Sequence, residues 1–123
     1  MADPNEIRVI AVDDEDIWRE VLEDELGDVG GVSYEMVSTA DEAIARLEEG
    51  GFHGVVTDGL NGEWVRVAEA ARSVGAGVLV VSAEVANVQA AQAEGMGGID
   101  KTSFDSQEFG AIVTAFGIAD KEL

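Results

Sequence analysis

The sequence predicts a doubly wound α/β sandwich around a parallel sheet, and three observations support this fold class. Strand-like apolar runs alternate with helical patterns five times along the 123 residues, and the connections between them are short. The run "GVLVVS" at residues 77–82 has five apolar or small positions in succession, as expected for a strand in the middle of a parallel sheet. Alternation of this kind places parallel strands between two layers of helices.

The first half of the chain reads as two strand-helix units. Residues 7–12, "IRVIAV", form a buried strand pattern, and the helical positions after it, closed by Gly27, are Ile17, Trp18, Val21, Leu22 and Leu26. The stretch "VSYEMVS" alternates like a half-exposed edge strand. Thr39 and Glu42 then make a capping box for a helix whose apolar positions are Ala40, Ala43, Ile44 and Leu47.

Three more units follow in the second half. "GVVTD" is the third strand, and the helix after it has an apolar face of Trp64, Val67, Ala68 and Ala71. After the fourth strand, "GVLVVS", an Ala-rich helix runs to about Gly95. A short strand at "GGID" precedes a last helix with Phe109, Ile112, Val113 and Phe116 on its apolar face.

Length and composition favour one globular domain over residues 1–123. Hydrophobic residues make up 46% and charged residues 27%, which is near the average of folded proteins. Cysteine is absent, and the N-terminus lacks the basic and apolar regions of a secretory signal, so we expect a soluble, cytoplasmic protein.

The charge balance is strongly acidic. Seven Lys and Arg against 26 Asp and Glu give a formal net charge of -19, which repels phosphate backbones and anionic lipid headgroups. We therefore expect no direct nucleic-acid or membrane partner. The acidity serves solubility or reflects a saline cytoplasm, and it identifies no function by itself.

Polar residues follow the predicted strands at what becomes one edge of the sheet. Asp13 and Asp14 end the first strand, Asp58 the third, Ser82 the fourth and Lys101 the fifth. Each has an ordinary structural interpretation, since Asp and Ser cap helices and Asp-Gly makes turns. Lys101, however, is one of only two lysines in the chain.

Three carboxylates meeting at this edge would require a cation. At about 4 Å and an effective dielectric near 20, each pair repels by about 4 kcal/mol. Carboxylate oxygens without His or Cys select Mg²⁺, with Mn²⁺ or Ca²⁺ as other choices. With Lys101 and Ser82 to hold phosphoryl oxygens, Asp58 is the best candidate nucleophile for phosphoryl transfer.

These residues, in this order, make the sequence resemble the receiver domain of two-component response regulators, the chemotaxis-regulator type of flavodoxin-like fold. The resemblance implies a five-stranded sheet in the order 2-1-3-4-5 and phosphorylation of Asp58. It also implies that Mg²⁺, or Mn²⁺, is bound by Asp14 directly, by Asp13 mainly through water, by Asp58 and by the Leu60 backbone carbonyl. Ser82 and Lys101 would hold the phosphoryl oxygens.

The same resemblance implies partners and a limited chemistry. A histidine kinase or phosphotransfer protein would supply the phosphoryl group, and a downstream target would respond to it. Self-phosphorylation and autodephosphorylation at Asp58 are expected, without turnover of an external substrate. Trp18 lies near the surface that receivers offer to kinases, although packing on the sheet edge explains it equally well. We expect a monomer or weak dimer.

The sequence also departs from the family pattern at three places. "DGLNGEW" goes almost directly from Asp58 into a helix, so we expect a tightened loop or a trimmed third helix. Thr102 follows Lys101 where the family usually has Pro, so no cis bond is expected there. Gly98 occupies the position of the family's aromatic switch residue, so the usual aromatic coupling cannot operate.

Three other functions compete with this interpretation. A non-phosphorylated pseudo-receiver, acting as a protein interaction module, is favoured by the three departures. A flavin or dinucleotide binder would need an anion loop where "DDED" stands, and a haloacid-dehalogenase-type phosphatase would need an Asp at Leu60. The five intact site residues favour the phosphorelay receiver.

Overall fold

The computed structural model describes residues 6–121, with side chains described as far as Gly117. Its strands are Ile7–Val12 (β1), Val32–Val37 (β2), Gly54–Thr57 (β3), Gly77–Ser82 (β4) and Gly97–Asp100 (β5). Its helices are Asp16–Asp28 (α1), Ala40–Glu49 (α2), Trp64–Ser73 (α3), Val85–Ala93 (α4) and Ser106–Lys121 (α5). Short 3₁₀ turns, Leu60–Gly62 and Lys101–Ser103, precede α3 and α5.

All five strands are parallel and lie in the order β2-β1-β3-β4-β5. The predicted fold class and strand order are therefore confirmed. The order reverses at β1 and β3, which lie side by side with Val12 opposite Thr57. In open α/β sheets, ligands bind in the crevice that forms at the carboxyl ends of the strands where the strand order reverses. The residues just after Val12 and Thr57 lie at this crevice.

The core fills both faces of the sheet, because neighbouring residues of a strand point to opposite sides. Ile10 and Val12 belong to one buried cluster, which also contains Leu47 of α2 and Val67 of α3. On the other face, the buried residues include Val9 and Ala11 of β1, Leu22 and Leu26 of α1, and Phe109 and Val113 of α5. The sheet is thus covered on both sides, as the apolar strand patterns predict.

Local details confirm some expectations and correct one. The Thr39 hydroxyl accepts a hydrogen bond from the Glu42 backbone N–H at 3.2 Å, so the predicted cap of α2 is present. All residues of β2 are half-buried, as expected of an edge strand. Ile17, however, is 71% exposed, because only Leu22 and Leu26 of α1 are fully turned to the core.

Among residues 6–121, none of the helices combines the length and the apolar character needed to cross a bilayer.

Candidate functional site

Three carboxylates meet at the carboxyl edge of the sheet. One oxygen from each of Asp13, Asp14 and Asp58 can be chosen so that all three lie within 4.8 Å of one another. Asp13 is fully buried, Asp58 is nearly so and Asp14 is exposed. The Asp58 N–H donates to the Val12 carbonyl at 2.8 Å, which continues the pairing of β3 with β1 beyond the strand. The predicted cluster is therefore assembled by neighbouring strand ends.

Lys101 lies against this cluster at the start of the turn that follows β5. Its Nζ is 2.8 Å from Asp58 Oδ1, 2.9 Å from Asp13 Oδ2 and 3.7 Å from Glu15 Oε1. Only 4% of its side chain is exposed. The ammonium also lies 4.8 Å from the centre of the Trp18 ring, at cation-π distance. One buried cation thus partly neutralises the clustered carboxylates.

Burial and charge act against each other in this cluster. Burial raises the pKa of Asp13, and the nearby Asp58 charge adds to the rise, while Lys101 and the Glu15 N–H at 2.9 Å from Oδ1 oppose it. Burial by itself lowers the pKa of Lys101, but its contacts with Asp58 and Asp13 outweigh burial and leave that pKa raised. The raised pKa values mean that the site favours the charged form of Lys101 and disfavours the ionised form of Asp13.

One oxygen of Asp13 lacks a complete set of partners. Asp13 Oδ2 is buried and forms an ion pair with Lys101 at 2.9 Å, and among the described residues it has no partner that meets hydrogen-bond geometry. A buried carboxylate oxygen without a hydrogen bond is costly unless a cation contacts it. Here the Lys101 ammonium is that cation, and Asp13 Oδ2 keeps unused acceptor capacity beside Asp58 and Asp14.

The segment after Asp58 forms a tight turn, as the short sequence predicts. Asp58 Oδ2 accepts the Leu60 N–H at 3.2 Å. Leu60 and Asn61 have φ values of 50° and 55°, in the left-handed region that non-glycine residues rarely occupy. The Leu60 carbonyl accepts the Glu63 N–H at 3.0 Å, which leaves it one lone pair, and its service as a metal ligand stays a prediction.

Ser82 ends β4 beside these residues, and its hydroxyl belongs to a small hydrogen-bond network. Ser82 Oγ accepts the Glu84 backbone N–H at 3.1 Å and the Asn87 Nδ2 amide at 3.3 Å. Asn87 Oδ1 in turn accepts the Trp64 indole N–H at 3.1 Å. The sequence analysis assigned Trp64 to the core and missed Asn87. The available signal for Asn87 was the position of this amide on the first turn of the helix that follows Ser82.

A cleft of about 220 Å³ opens this site to solvent. The residues at its wall include Asp14, Asp58, Leu60, Ser82, Asn87 and Lys101. Candidate residues from four strand ends thus share one space, in which carboxylate oxygens, the Ser82 hydroxyl and the Lys101 ammonium lie close together. Such a cleft can hold a small anionic group together with a divalent cation.

Sequence comparison and structure comparison give different answers. No protein-family model and no curated protein matches the sequence. A receiver protein from Sinorhizobium medicae nevertheless superposes with a TM-score of 0.76 at 25% identity, over 93% of this chain and 96% of that one. The receiver domain of the putative response regulator NarL from Mycobacterium tuberculosis gives 0.71 at 25% identity, over 95% and 98%. The chain has the fold of a response regulator receiver domain.

A further similar receiver structure contains a ligand complex. The response regulator TrrA of Thermotoga maritima, solved with Mg²⁺ and BeF, gives a TM-score of 0.73 at 24% identity, over 89% of this chain and 98% of that one. Together with the two structures above, it confirms the resemblance seen in the sequence. The sequence identity to these structures is only 24% or 25%, and this low identity explains why the comparison of structures finds the receiver fold while the comparison of sequences does not.

Two positions in this fold bear on expectations from the sequence. Trp18 is half-buried, packs against the core and meets the Phe104 ring at a centroid distance of 5.9 Å, so its packing role is present and its role in docking stays a prediction. A Cβ on Gly98 would lie 2.9 Å from the Val88 carbonyl oxygen of α4. The space for a side chain at residue 98 is therefore filled by α4.

Proposed function

We propose that this protein is a phosphorelay receiver that accepts a phosphoryl group on Asp58 from a histidine kinase or phosphotransfer protein in a Mg²⁺-dependent reaction. The observation that carries the proposal is that Asp14, Asp58 and Lys101 line one open cleft, with the buried Asp13 in contact with Lys101 behind them. Similar receiver structures at 25% identity support the same role.

The donor set suits Mg²⁺, and Mn²⁺ shares its preference for oxygen. Asp13, Asp14 and Asp58 offer hard oxygens within 4.8 Å of one another, and the buried Asp13 Oδ2 has no hydrogen bond. These residues would hold the ion, with the Leu60 carbonyl as a further ligand. When bound, Mg²⁺ supplies neutralisation of the phosphoryl oxygens during transfer.

The chain's own residues would carry the transfer step. The Asp58 carboxylate forms a new O–P bond while the N–P bond of a phosphohistidine breaks, and the electron pair of that bond leaves with the imidazole nitrogen. Lys101, now 2.8 Å from Asp58 Oδ1, exchanges this contact for a phosphoryl oxygen. The Ser82 hydroxyl donates to a second oxygen. Water later attacks phosphorus, the bond from phosphorus to the Asp58 oxygen breaks, and inorganic phosphate leaves with the carboxylate restored.

A pseudo-receiver that serves only as a protein interaction module is the second candidate. Two observations favour it: α4 fills the space beside Gly98, and the turn after Asp58 is very short. Both features concern how a phosphorylated state would be transmitted to a partner. Lys101 contacts both Asp13 and Asp58, and Ser82 lines the same cleft as Asp58 and Lys101; these contacts support the phosphorelay function as the first candidate.

A titration with beryllofluoride, a phosphoryl analogue, separates the two candidates. In ¹⁵N-labelled protein with Mg²⁺, we expect beryllofluoride to shift the backbone resonances of Asp58, Ser82 and Lys101. Asp58→Asn should remain folded and show no such shifts. An unchanged spectrum of the folded wild type would instead favour the interaction module.

A further inference from the structure

We propose that Asn87 is a positioning residue that, held by Trp64, forces the Ser82 hydroxyl to act as a hydrogen-bond donor toward the Asp58 cleft. The inference rests on the proposed function, because the group that accepts this hydrogen bond would be a phosphoryl oxygen. It adds two residues, Asn87 and Trp64, that the metal and phosphoacceptor sites do not contain.

The first step is the orientation of the Asn87 amide. An indole N–H donates a hydrogen bond and cannot accept one. Trp64 is only 4% exposed, and its Nε1 lies 3.1 Å from the Asn87 amide, so the atom facing it must be the amide oxygen. The amide nitrogen consequently faces Ser82 Oγ at 3.3 Å as a donor. Trp64 thus fixes which end of Asn87 meets Ser82.

The second step is the hydrogen-bond capacity of the Ser82 hydroxyl. A hydroxyl has two lone pairs that accept and one proton that it donates. Its acceptor positions are taken by the Glu84 backbone N–H at 3.1 Å and by Asn87 Nδ2. Among the described residues no acceptor for the Ser82 proton is found, and Ser82 lines the same cleft as Asp58 and Lys101. The remaining direction for the O–H bond is the cleft.

The third step is the fit between Asn87 and the turn after Asp58. A Cβ on Gly59 would lie 2.5 Å from Asn87 Nδ2 and 3.0 Å from Ser82 Oγ, so the amide fills the space above that glycine. Trp64 follows the tight turn as the first residue of α3, and from there its indole N–H donates to Asn87 Oδ1 of α4. The short loop therefore makes the contact between α3 and α4 possible.

A double-mutant cycle tests whether Asn87 acts through Ser82. Asn87→Leu keeps a similar shape without hydrogen bonds, and we expect it to weaken beryllofluoride binding in Mg²⁺ by about tenfold, the effect of one hydrogen bond to a charged group. In the Ser82→Ala background the same change should have almost no further effect. Gln89→Leu, an exposed amide on the same helix, is the matched control and should bind like the wild type.

The inference would be overturned if Asn87→Leu lowered beryllofluoride affinity equally in the wild-type and Ser82→Ala backgrounds. It would also be overturned if Asn87→Leu did not lower this affinity in the wild-type background. Circular dichroism and unfolding midpoints of each variant exclude loss of fold as the cause. Trp64→Phe keeps an aromatic ring but removes the N–H together with part of the buried ring volume, and we expect a smaller loss of beryllofluoride affinity in the same direction. Its effect should also vanish in the Ser82→Ala background.

The Trp64 indole resonance provides a readout without any phosphoryl analogue, identified by its absence in Trp64→Phe. Both Asn87→Leu and Ser82→Ala should shift it in the ligand-free protein, since the three groups form one chain of hydrogen bonds. A resonance unmoved by both changes contradicts the role of Asn87. If the wild type binds no beryllofluoride but Asn87→Leu and Ser82→Ala still shift the Trp64 indole resonance, the proposed phosphorelay function is contradicted and the hydrogen-bond chain from Trp64 to Ser82 is not.

Discussion

At the scale of single residues, Lys101 holds the site together. Its ammonium contacts Asp13 and Asp58 at 2.9 and 2.8 Å while almost wholly buried. Removal of one member of a buried ion pair leaves the others charged without compensation, and this costs more than the pair itself contributes. Lys101 therefore serves stability in the resting protein and phosphoryl binding in the reaction we propose.

Lys101→Met should lower the free energy of unfolding by about 3–5 kcal/mol in metal-free buffer, because Asp13 and Asp58 lose their cation. Mg²⁺ should restore more stability to this variant than to the wild type. Urea unfolding with and without Mg²⁺ measures both effects. Arg72→Met, which removes an exposed ion pair to Glu94 at 3.4 Å, is the control and should change stability by less than about 1 kcal/mol. A Lys101→Met protein as stable as this control would contradict the account.

Gly98→Ala tests the close approach of α4 to β5. The new methyl group would meet the Val88 backbone oxygen at 2.9 Å, so α4 must shift, and we expect a loss of about 1–3 kcal/mol. Thermal or urea unfolding measures it. Gly27→Ala, which meets nothing within 4 Å inside α1, should be neutral or stabilising. Equal stability of the two variants would show that residue 98 has free space.

At the scale of elements, α2 shows how a local sequence signal stabilises one helix. The Thr39 hydroxyl accepts the Glu42 N–H, while the Glu42 carboxylate accepts from the hydroxyls of Thr39 and Ser38, both at 3.1 Å. These hydrogen bonds, from Thr39 first and then Ser38, lower the pKa of Glu42 below its usual 4.5. The ionised carboxylate is therefore the form that the folded helix prefers.

The wild type should lose the contribution of this cap in acid. Because the folded pKa of Glu42 is lowered, its stabilisation is complete above pH 4.5 and is lost as the pH falls through that lowered value. Urea unfolding over this range should show a steeper loss in the wild type than in Glu42→Gln. Glu48→Gln, exposed on the same helix, should follow the wild type. Parallel curves for wild type and Glu42→Gln would refute the cap's role.

Element patterns were predictable from the sequence because they depend on local periodicity. Strand alternation and buried apolar runs placed all five strands, and the strand ends brought Asp13, Asp58, Ser82 and Lys101 to one edge. The buried face of α1 was only partly predicted, because Ile17 fits the helical spacing of the apolar residues and is nevertheless exposed. Asn87 was missed although it lies on the first turn of the helix after Ser82, because its partners, Trp64 and Ser82, meet it only in the folded structure.

At the scale of the whole molecule, charge acts against compactness. A formal net charge of -19 leaves most carboxylates without a basic partner, and their mutual repulsion favours the expanded chain. Raising NaCl from 0.01 to 0.1 M shortens the Debye length from about 30 to about 10 Å. We expect the unfolding midpoint to rise over this range. A midpoint that falls would show that surface ion pairs outweigh the net repulsion.

The central claim is that Asp58 accepts a phosphoryl group, and intact-protein mass spectrometry after incubation with acetyl phosphate tests it most directly. With Mg²⁺, the wild type should gain the mass of one phosphoryl group, and without Mg²⁺ or in Asp58→Asn it should gain none. Equal phosphoryl uptake by Asp58→Asn, or no uptake by a folded, Mg²⁺-loaded wild type, would contradict the account.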